Sequence, residues 1–481
     1  MWRFSSTAMC LIAVTWAAQC SHPARADDWN AGTGGNPARN SRSAEVGPTA
    51  PAILWQGSLP AVVAQPAVIE GNVVVMSRMA SLSDVLNGTT IVAHDLISGD
   101  VLWTEQLPVN FPDSWRSRVS AIRDGQVYAT RSGNTNAEFL YALDAASGET
   151  NWESQALITE SSTESVAFAP DGDIIAGNFQ SLLRIERTDG TTVWSTPRSC
   201  PTSGGCEAAV FGQRIYIWEA SPTGPKISAF DLDSGAPLYS SASQGGGFIQ
   251  QVAPLVGPDG TVYAPRSQNN VLTDFLTALT DTGTGLAAQW SMPLGFIPFG
   301  SLGVGPDGSV YSYVTTSSTI TIQRLDPATG DVTASSAALP MNFPAQPRIA
   351  IDAHGKLFFT NGGFSQGRLF SLNADLTPRW SVPVPNVNIG GPALGSTGVL
   401  VVCGVGTDVR AYRTLLGDFD LDGLVNLADF AQFVECMFGP QVEPDPPPPT
   451  TPSDCLDAFD ADHDGDVDLL DFAEFQAALS V

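Results

Sequence analysis

Two acidic runs near the end of the chain hold the residues best suited to chemistry. Each run is a 12-residue window with oxygen-bearing side chains at positions 1, 3, 5, 9 and 12 and glycine at position 6. Calcium is a hard cation that takes about six to eight oxygen ligands, and such a loop supplies them from positions 1, 3, 5, 7, 9 and 12. The predicted ligands are Asp418, Asp420, Asp422, Leu424, Asn426 and Asp429 in the first loop, and Asp460, Asp462, Asp464, Asp466, Asp468 and Asp471 in the second. The sequence therefore predicts two Ca²⁺ sites.

The other positions of both loops agree with this interpretation. The sharp turn at position 6 favours glycine, and Gly423 and Gly465 stand there. Position 7 ligates through its backbone carbonyl, so Leu424 is as acceptable there as Asp466. Aspartate replaces the usual glutamate at position 12, and its shorter side chain predicts weaker calcium binding or competition from magnesium.

An amphipathic helix is predicted after each loop, because apolar residues recur there at three- and four-residue spacing. These residues are Leu427, Phe430, Val434 and Met437 after the first loop, and Leu469, Phe472, Phe475 and Leu479 after the second. The two apolar faces are expected to pack together, with Val425 and Val467 forming a β-bridge between the loops. No helix is predicted before either loop. The alternative is a disordered acidic tail, since the sequence from Asp418 onward has 16 acidic residues and no Lys or Arg.

A duplicated loop and helix with aspartate at position 12 resembles the EF-hand modules of the dockerin family, over about residues 417–479. The resemblance implies a small α-helical domain, residues 415–481, that binds calcium and docks onto a cohesin-like or cell-surface partner. The chain departs from the family in an insert, residues 439–453, which contains four consecutive prolines. Cys436 and Cys455 bracket this insert and are a candidate disulfide pair, as are Cys200 and Cys206 around a Gly-rich loop.

The larger part of the chain is a repeat of short strands. The pattern A-x-D-x-x-S-G-x-x-x-W ends at Trp103 and at Trp152, and a third copy ends at Tyr239. With degenerate copies, the equivalent positions run from Trp55 to Trp380 in steps of 42 to 51 residues. Turn sequences such as Pro-Asp-Gly lie between the copies, and each precedes a predicted strand in which apolar and polar residues alternate.

A period of about 40 to 50 residues with about four strands is the size of one propeller blade. The repeat count predicts eight blades, with Ile53, Leu54 and Trp55 supplying the last strand of the final blade. Such closure removes exposed sheet edges. Two unrelated β-sandwiches are the alternative, but they do not predict a period.

The Asp-Ser-Gly-Trp repeat resembles the pyrroloquinoline-quinone (PQQ) repeat propellers, over about residues 50–414. The resemblance implies an all-β, eight-bladed propeller. That family includes quinoprotein alcohol dehydrogenases and the non-enzymatic propeller of the outer-membrane assembly machinery, so the repeat does not decide activity.

No residue of the propeller is assigned a catalytic or cofactor-binding role from the sequence. Quinoprotein dehydrogenases typically carry a vicinal Cys-Cys pair, and this chain has no Cys-Cys dipeptide. One G-x-S-x-G match, at residues 363–367, precedes an alternating strand and not the helix that a nucleophile elbow needs. The sequence therefore favours a non-catalytic binding protein. The alternative is an extracellular quinoprotein oxidoreductase or carbohydrate-active propeller tethered by the same module.

The beginning of the chain resembles an export signal. Arg3 precedes an apolar stretch, and an A-x-A cleavage site ends at Ala26, so residues 1–26 are predicted to be a signal peptide and residues 27–49 an N-terminal extension. The expected location is extracellular, cell-surface attached or periplasmic. A formal net charge of −27 disfavours nucleic-acid binding. The propeller is expected to bind a protein or a glycan on one face, and no segment after the signal is long enough to span a membrane.

Overall fold

The computed structural model describes residues 29–479, apart from 134–135, 161–164, 201–205, 246–252, 268–273, 295–301, 316–318, 341–347, 362–366, 385, 388, 421–423 and 462–463. The predicted signal peptide lies outside the described residues. So do the predicted ligands Asp422 and Asp462, Gly423, and most of the G-x-S-x-G match.

The described residues form 34 strands, which all belong to eight antiparallel sheets. The first half comprises β1 (Ile53–Gln56), β2 (Val63–Ala64), β3 (Val68–Glu70), β4 (Val73–Met79), β5 (Thr89–Asp95), β6 (Val101–Glu105), β7 (Arg118–Arg123), β8 (Gln126–Thr130), β9 (Glu138–Asp144), β10 (Thr150–Ile158), β11 (Ala167–Phe168), β12 (Ile174–Gly177), β13 (Ser181–Ile185), β14 (Thr192–Pro197), β15 (Ala209–Phe211), β16 (Arg214–Glu219), β17 (Lys226–Asp231) and β18 (Pro237–Ser240). The second half comprises β19 (Leu255–Val256), β20 (Val262–Ser267), β21 (Asp274–Asp281), β22 (Leu286–Leu294), β23 (Leu302–Val304), β24 (Val310–Thr315), β25 (Thr319–Leu325), β26 (Val332–Ser335), β27 (Leu339–Pro340), β28 (Ile349–Ile351), β29 (Leu357–Thr360), β30 (Gly367–Leu372), β31 (Pro378–Val384), β32 (Pro392–Leu394), β33 (Leu400–Cys403) and β34 (Val409–Tyr412).

Each sheet is one blade of a propeller. Blades 1 to 7 are β2–β6, β7–β10, β11–β14, β15–β18, β19–β22, β23–β27 and β28–β31, and blade 8 is β32–β34 with β1. The inner strands of neighbouring blades contact one another, for example β3 with β7 and β28 with β32, and β32 contacts β3 to close the ring. The all-β, eight-bladed propeller predicted from the repeat is confirmed.

Blade 8 joins the two ends of the repeat array. β1 pairs with β34 in antiparallel register, with Ile53 opposite Tyr412 and Gln56 opposite Arg410. The predicted closure by Ile53, Leu54 and Trp55 is therefore confirmed. Because β34 would otherwise present unpaired N–H and C=O groups, the pairing with β1 completes a four-stranded blade, with β1 as its outer strand.

The repeated tryptophan hydrogen-bonds five of the blades to the next blade. The indole Nε1 of Trp103, in blade 1, donates to the Ala145 carbonyl of blade 2 at 2.8 Å. The same contact recurs between Trp55 and Leu96 at 2.8 Å, between Trp152 and Arg187 at 3.0 Å, between Trp194 and Leu232 at 3.2 Å, and between Trp290 and Pro327 at 2.9 Å. The repeat motif therefore encodes the contact between blades, since a buried indole N–H needs an acceptor.

Tyr239 replaces the tryptophan in blade 4 and makes the contact by different chemistry. Its hydroxyl donates to Asp281 Oδ1 at 2.6 Å, and Tyr216 donates to Asp281 Oδ2 at the same distance. Asp281 lies in blade 5, so this carboxylate replaces the carbonyl acceptor of the other junctions. The degenerate repeat thus retains an inter-blade hydrogen bond.

Residues 29–47, which the sequence suggested only as an extension, line the axial channel. Backbone carbonyls of this segment accept hydrogen bonds from the inner strands of six blades in order. The donor–acceptor pairs are Ile69 to Trp29, Ile122 to Asn30, Val210 to Pro37, Val256 to Ala38, Val304 to Asn40 and Ile351 to Ser41. We call residues 29–47 the axial segment. It surrounds the axis near the turns that join the first two strands of each blade, and we call that end of the propeller the turn face.

The C-terminal residues form a small module of three helices. They are α1 (Leu427–Cys436), α2 (Pro452–Phe459) and α3 (Leu469–Ala478); a short 3-10 helix, Ser396–Gly398, lies in blade 8. A disulfide joins Cys436 of α1 to Cys455 of α2 across the proline-rich insert. The sulfur atoms of Cys200 and Cys206 lie 3.8 Å apart, which is a contact and not a bond. None of the described helices combines the length and hydrophobicity of a transmembrane span.

Three expectations for this module are wrong. Four residues that were predicted to pack between the helices have exposed side chains, namely Leu427, Val434, Met437 and Leu469. α2 immediately precedes the second acidic loop, where no helix was expected; Thr451 caps it, Pro452 is its first residue and Asp454 completes a capping box. Val425 and Val467 form no β-bridge and lie instead in the module core. That core is a cluster of phenylalanines, Phe419, Phe430, Phe433, Phe459, Phe472 and Phe475, around the disulfide. Burial of these rings, and not strand pairing, holds the two loops together.

Candidate functional site

The first acidic loop brings three of its predicted ligands together. One carboxylate oxygen each from Asp418, Asp420 and Asp429 lies within 4.8 Å of the others. Asp429 is held by the backbone: its Oδ1 accepts from Phe419 N at 2.7 Å and from Asp420 N at 3.2 Å, and its Oδ2 accepts from Asn426 N at 2.8 Å. The residue at position 12 therefore closes the loop onto its own first residues.

Helix α1 begins inside the first loop, so that two of the predicted ligands also cap the helix. Asn426 is the N-cap of α1, and its side chain accepts from Ala428 N at 2.8 Å. Asp429 completes the capping box from the third helical position. Helix initiation and placement of the ligand at position 12 therefore depend on the same two side chains.

In the second loop three carboxylates also lie close together, but they stand at positions 7, 9 and 12 of the loop and not at 1, 3 and 12. One carboxylate oxygen each from Asp466, Asp468 and Asp471 lies within 4.8 Å of the others. Asp471 accepts from Ala461 N and from Asp468 N, both at 2.7 Å, as Asp429 does in the first loop. Asp460 accepts from Asp464 N and Gly465 N, both at 3.1 Å, which folds the loop around its first residue. Gly465 has a φ of +90°, so the predicted need for glycine at position 6 is confirmed in this loop.

The structure places the remaining predicted ligands beside these clusters or leaves them undescribed. Asp464 Oδ1 accepts from Asp466 N at 3.2 Å, and the Leu424 side chain is exposed. Asp422 and Asp462 lie outside the described residues. Asp418, Asp429 and Asp471 are almost fully buried, and no Lys or Arg follows Asp418 in the sequence. Buried carboxylates require compensation, and a divalent cation held by these oxygens would provide it.

The module contacts the turn face of the propeller through α2. Asp457 forms a salt bridge with the Lys356 ammonium in the turn between β28 and β29, and Arg379 Nη2 of β31 lies 3.8 Å from its Oδ2. Two clefts of about 450 and 560 Å³ flank this contact. This interface could not be predicted without α2, where no helix was expected. The run Thr451-Pro452-x-Asp454 was the available signal, since it is typical of a helix N-terminus.

A buried polar network crosses the propeller axis. Arg348, just before β28 of blade 7, donates from Nη1 to the Gly32 carbonyl of the axial segment at 2.9 Å. Gly32 lies beside blades 2 and 3, since its N–H donates to Ser120 O at 3.0 Å and it adjoins Ser165. The Arg348 side chain therefore reaches across the channel, and burial lowers its pKa to about 10.

A second arginine of the network belongs to the axial segment itself. Arg39 donates from Nε to the Ala208 carbonyl at 3.0 Å and lies 3.2 Å from Glu207, and both side chains are buried. It also donates to the carbonyls of Thr33 and Ser165. At the level of the axial segment, the axis of the described structure is therefore occupied by side chains from this segment and from blades on opposite sides.

One protein-family profile matches the propeller. The profile of the family described as outer membrane protein assembly factor BamB matches residues 41–164 and 87–336. The chain belongs to this family of PQQ-repeat propellers. No curated protein sequence matches the chain.

Solved structures agree with the BamB-like fold. Quinohemoprotein alcohol dehydrogenase from Comamonas testosteroni is 13% identical, with a TM-score of 0.54, and the match covers 81% of each chain. BamB from Moraxella catarrhalis is 15% identical, with a TM-score of 0.51, over 76% of this chain and 98% of that one. The Dos1 propeller is 12% identical, with a TM-score of 0.50, over 74% of this chain and 95% of that one. At these identities the similarity shows the fold alone.

The described residues of this BamB-like propeller do not fit a quinone at the axis. Arg348 and Arg39 lie across the axis at the level of the axial segment, and both are already hydrogen-bonded to backbone carbonyls. A cofactor at this level would break these hydrogen bonds and leave two buried guanidinium groups without acceptors, which is unfavourable in free energy. The similarity in fold to a dehydrogenase therefore does not imply that this chain binds the same cofactor.

Proposed function

We propose that this chain is a non-catalytic, exported binding propeller whose C-terminal module binds two calcium ions and attaches the propeller to a partner. The observation that carries the proposal is the pair of carboxylate clusters, one in each 12-residue loop, which share the largely buried aspartate at position 12. Oxygen-only ligand sets of this kind suit a hard divalent cation.

The axial segment supports a non-catalytic role for the propeller. A cofactor or substrate at the centre would need free space, whereas Arg39, Arg348 and the backbone of residues 29–47 occupy the axis at the level of the axial segment. The matching structures include both a dehydrogenase and BamB, so the fold does not decide between the roles. The occupied axis favours a binding role over a catalytic one.

The exposed side of the module supports attachment through a protein partner. Leu427 and Leu469 are the first residues of α1 and α3, and they are 76% and 68% exposed. Leu470 and Val434 are also more than half exposed. Exposed apolar residues that cluster on one small domain mark interaction surfaces. We infer that a cohesin-like or other cell-surface protein contacts the module there, on residues that the propeller does not cover.

Calorimetric titration of the full mature chain with Ca²⁺ tests the metal sites. We expect two ions to bind, and we expect the double variant Asp418→Ala, Asp460→Ala to bind neither tightly, because each variant loop lacks its first carboxylate. The control variant Asp113→Ala, Asp445→Ala removes the same charge at exposed positions outside both loops. Equal binding by the two double variants would show that the ligand assignment is wrong.

Reconstitution with PQQ tests the non-catalytic role. After incubation with PQQ and calcium, followed by gel filtration, the chain should retain no quinone absorbance. Retention of stoichiometric quinone with dye-linked oxidation of alcohols or sugars would instead establish the oxidoreductase alternative.

A further inference from the structure

The two acidic loops differ at position 7. Leu424 occupies this position in the first loop and is 54% exposed, whereas Asp466 occupies it in the second and is 2% exposed. The loop pattern assigns position 7 a backbone carbonyl ligand in both cases. A buried carboxylate at this position is therefore an addition that the pattern does not require.

One oxygen of Asp466 lacks a hydrogen bond within the described structure. Oδ2 accepts from Gln441 N, whereas Oδ1 is buried without a partner. The carboxylate also belongs to the cluster in which Asp466, Asp468 and Asp471 each place an oxygen within 4.8 Å of the others. A buried carboxylate oxygen without a hydrogen bond is unfavourable, and coordination of a cation would remove that cost.

The proline-rich insert holds Asp466 in this orientation. Gly439 N donates to the Val467 carbonyl at 3.3 Å, and the next donor along the insert is Gln441 N, which binds Asp466 Oδ2. The disulfide between Cys436 and Cys455 closes the chain around this segment. The insert that separates the two loops therefore positions a side chain of the second loop.

We propose that the Asp466 side chain is an additional metal ligand that makes the second site stronger and more selective for highly charged cations than the first. This inference rests on the proposed calcium function. The second loop has six carboxylates (Asp460, Asp462, Asp464, Asp466, Asp468 and Asp471), and the first has four (Asp418, Asp420, Asp422 and Asp429). Because ligand charge tunes the affinity of such loops, the second site should bind Ca²⁺ more tightly and should favour trivalent Tb³⁺ further.

Single-site backgrounds of the full chain separate the two loops. Asp418→Ala leaves the second loop as the measured site, and Asp460→Ala leaves the first. In calorimetry with Ca²⁺ and then with Tb³⁺, we expect the second site to be the tighter one, with a larger difference for Tb³⁺. This comparison leaves Asp466 unchanged, so it does not depend on how a variant at that position folds. Equal affinities, or a tighter first site, would overturn the proposal.

Asp466→Asn in the Asp418→Ala background tests the side chain directly. Its amide oxygen can still accept from Gln441 N, while the ligand charge is lost, so we expect Ca²⁺ affinity to fall by roughly tenfold or more. Asp445→Asn in the same background is the control, because it removes one exposed charge from the same insert. If both variants bind as the background does, the side chain is not a ligand. Absence of calcium binding in the unsubstituted chain would instead defeat the proposed function itself.

Discussion

Gly148 shows how one residue of the repeat serves both a turn and a blade junction. It has a φ of +78°, and a Cβ placed on it would lie 2.6 Å from Trp103 Cε3. Gly99 packs against Trp55 and Gly330 against Trp290 in the same way. The glycine of the motif therefore allows both the left-handed turn and the close approach of the indole ring. The sequence predicted the first requirement, but the second depends on the neighbouring blade.

Gly148→Ala and Gly125→Ala separate these two contributions. Gly125 lies in the same blade with a φ of +75°, but nothing lies within 4 Å of its hypothetical Cβ. Gly125→Ala should cost only the left-handed backbone term of about 1–2 kcal/mol. Gly148→Ala should lose a further ~1–3 kcal/mol, because the methyl group overpacks the Trp103 junction. Urea unfolding of both variants measures the difference, and equal free energies of unfolding would contradict the packing role.

Among the elements, the strands were predicted from the sequence more completely than the helices of the C-terminal module. Each strand is bounded by local signals, such as Asp144 to Gly148, and the period repeats these signals along the chain. The loop ligands were equally local, since the pattern fixes Asp418 and Asp429 relative to each other. α2 was missed because proline-rich sequence precedes it and its apolar residues are few. Its docking on the propeller was not predictable, because Lys356 lies about a hundred positions away from Asp457.

Asp457→Asn tests whether α2 attaches the module to the propeller. The substitution removes the charge that Lys356 and Arg379 face, so we expect a loss of about 1–3 kcal/mol at this interface. The Lys356 amine, which is 9% exposed, should then react faster with an acetylating reagent, as measured by mass spectrometry. Asp445→Asn is the control for the change in net charge. Unchanged acetylation of Lys356 in both variants would show that the ion pairs do not hold the module in place.

For the whole molecule, the axial segment is the feature that the sequence concealed most. Residues 29–47 are rich in Gly and Asn, which is also typical of a linker. Their bonds are mostly backbone bonds to residues as distant as Ile351, and such contacts leave no local pattern. The repeat revealed the eight blades, but not the segment that lies inside them.

Truncation measures what the axial segment contributes to the propeller. A chain that starts at Trp29 keeps every bond to the inner strands, whereas a chain that starts at Gly47 loses the hydrogen bonds to six blades. We expect the first chain to melt as the mature protein does. The second should melt at least ~10 °C lower or fail to fold, because buried backbone donors lose their acceptors. Equal melting temperatures by circular dichroism would contradict this role.

The pairing of β1 with β34 has a consequence for how the chain is made. Ile53 leaves the ribosome early, yet its strand partner is Tyr412. A nascent chain that has not reached Tyr412 contains blades but no closed ring, and its first strand has no neighbour to pair with. Loop closure over such a separation also slows the final step. Completion of the propeller must therefore follow synthesis of nearly the whole chain, so a factor that shields the early strands during this interval would increase the yield of folded protein.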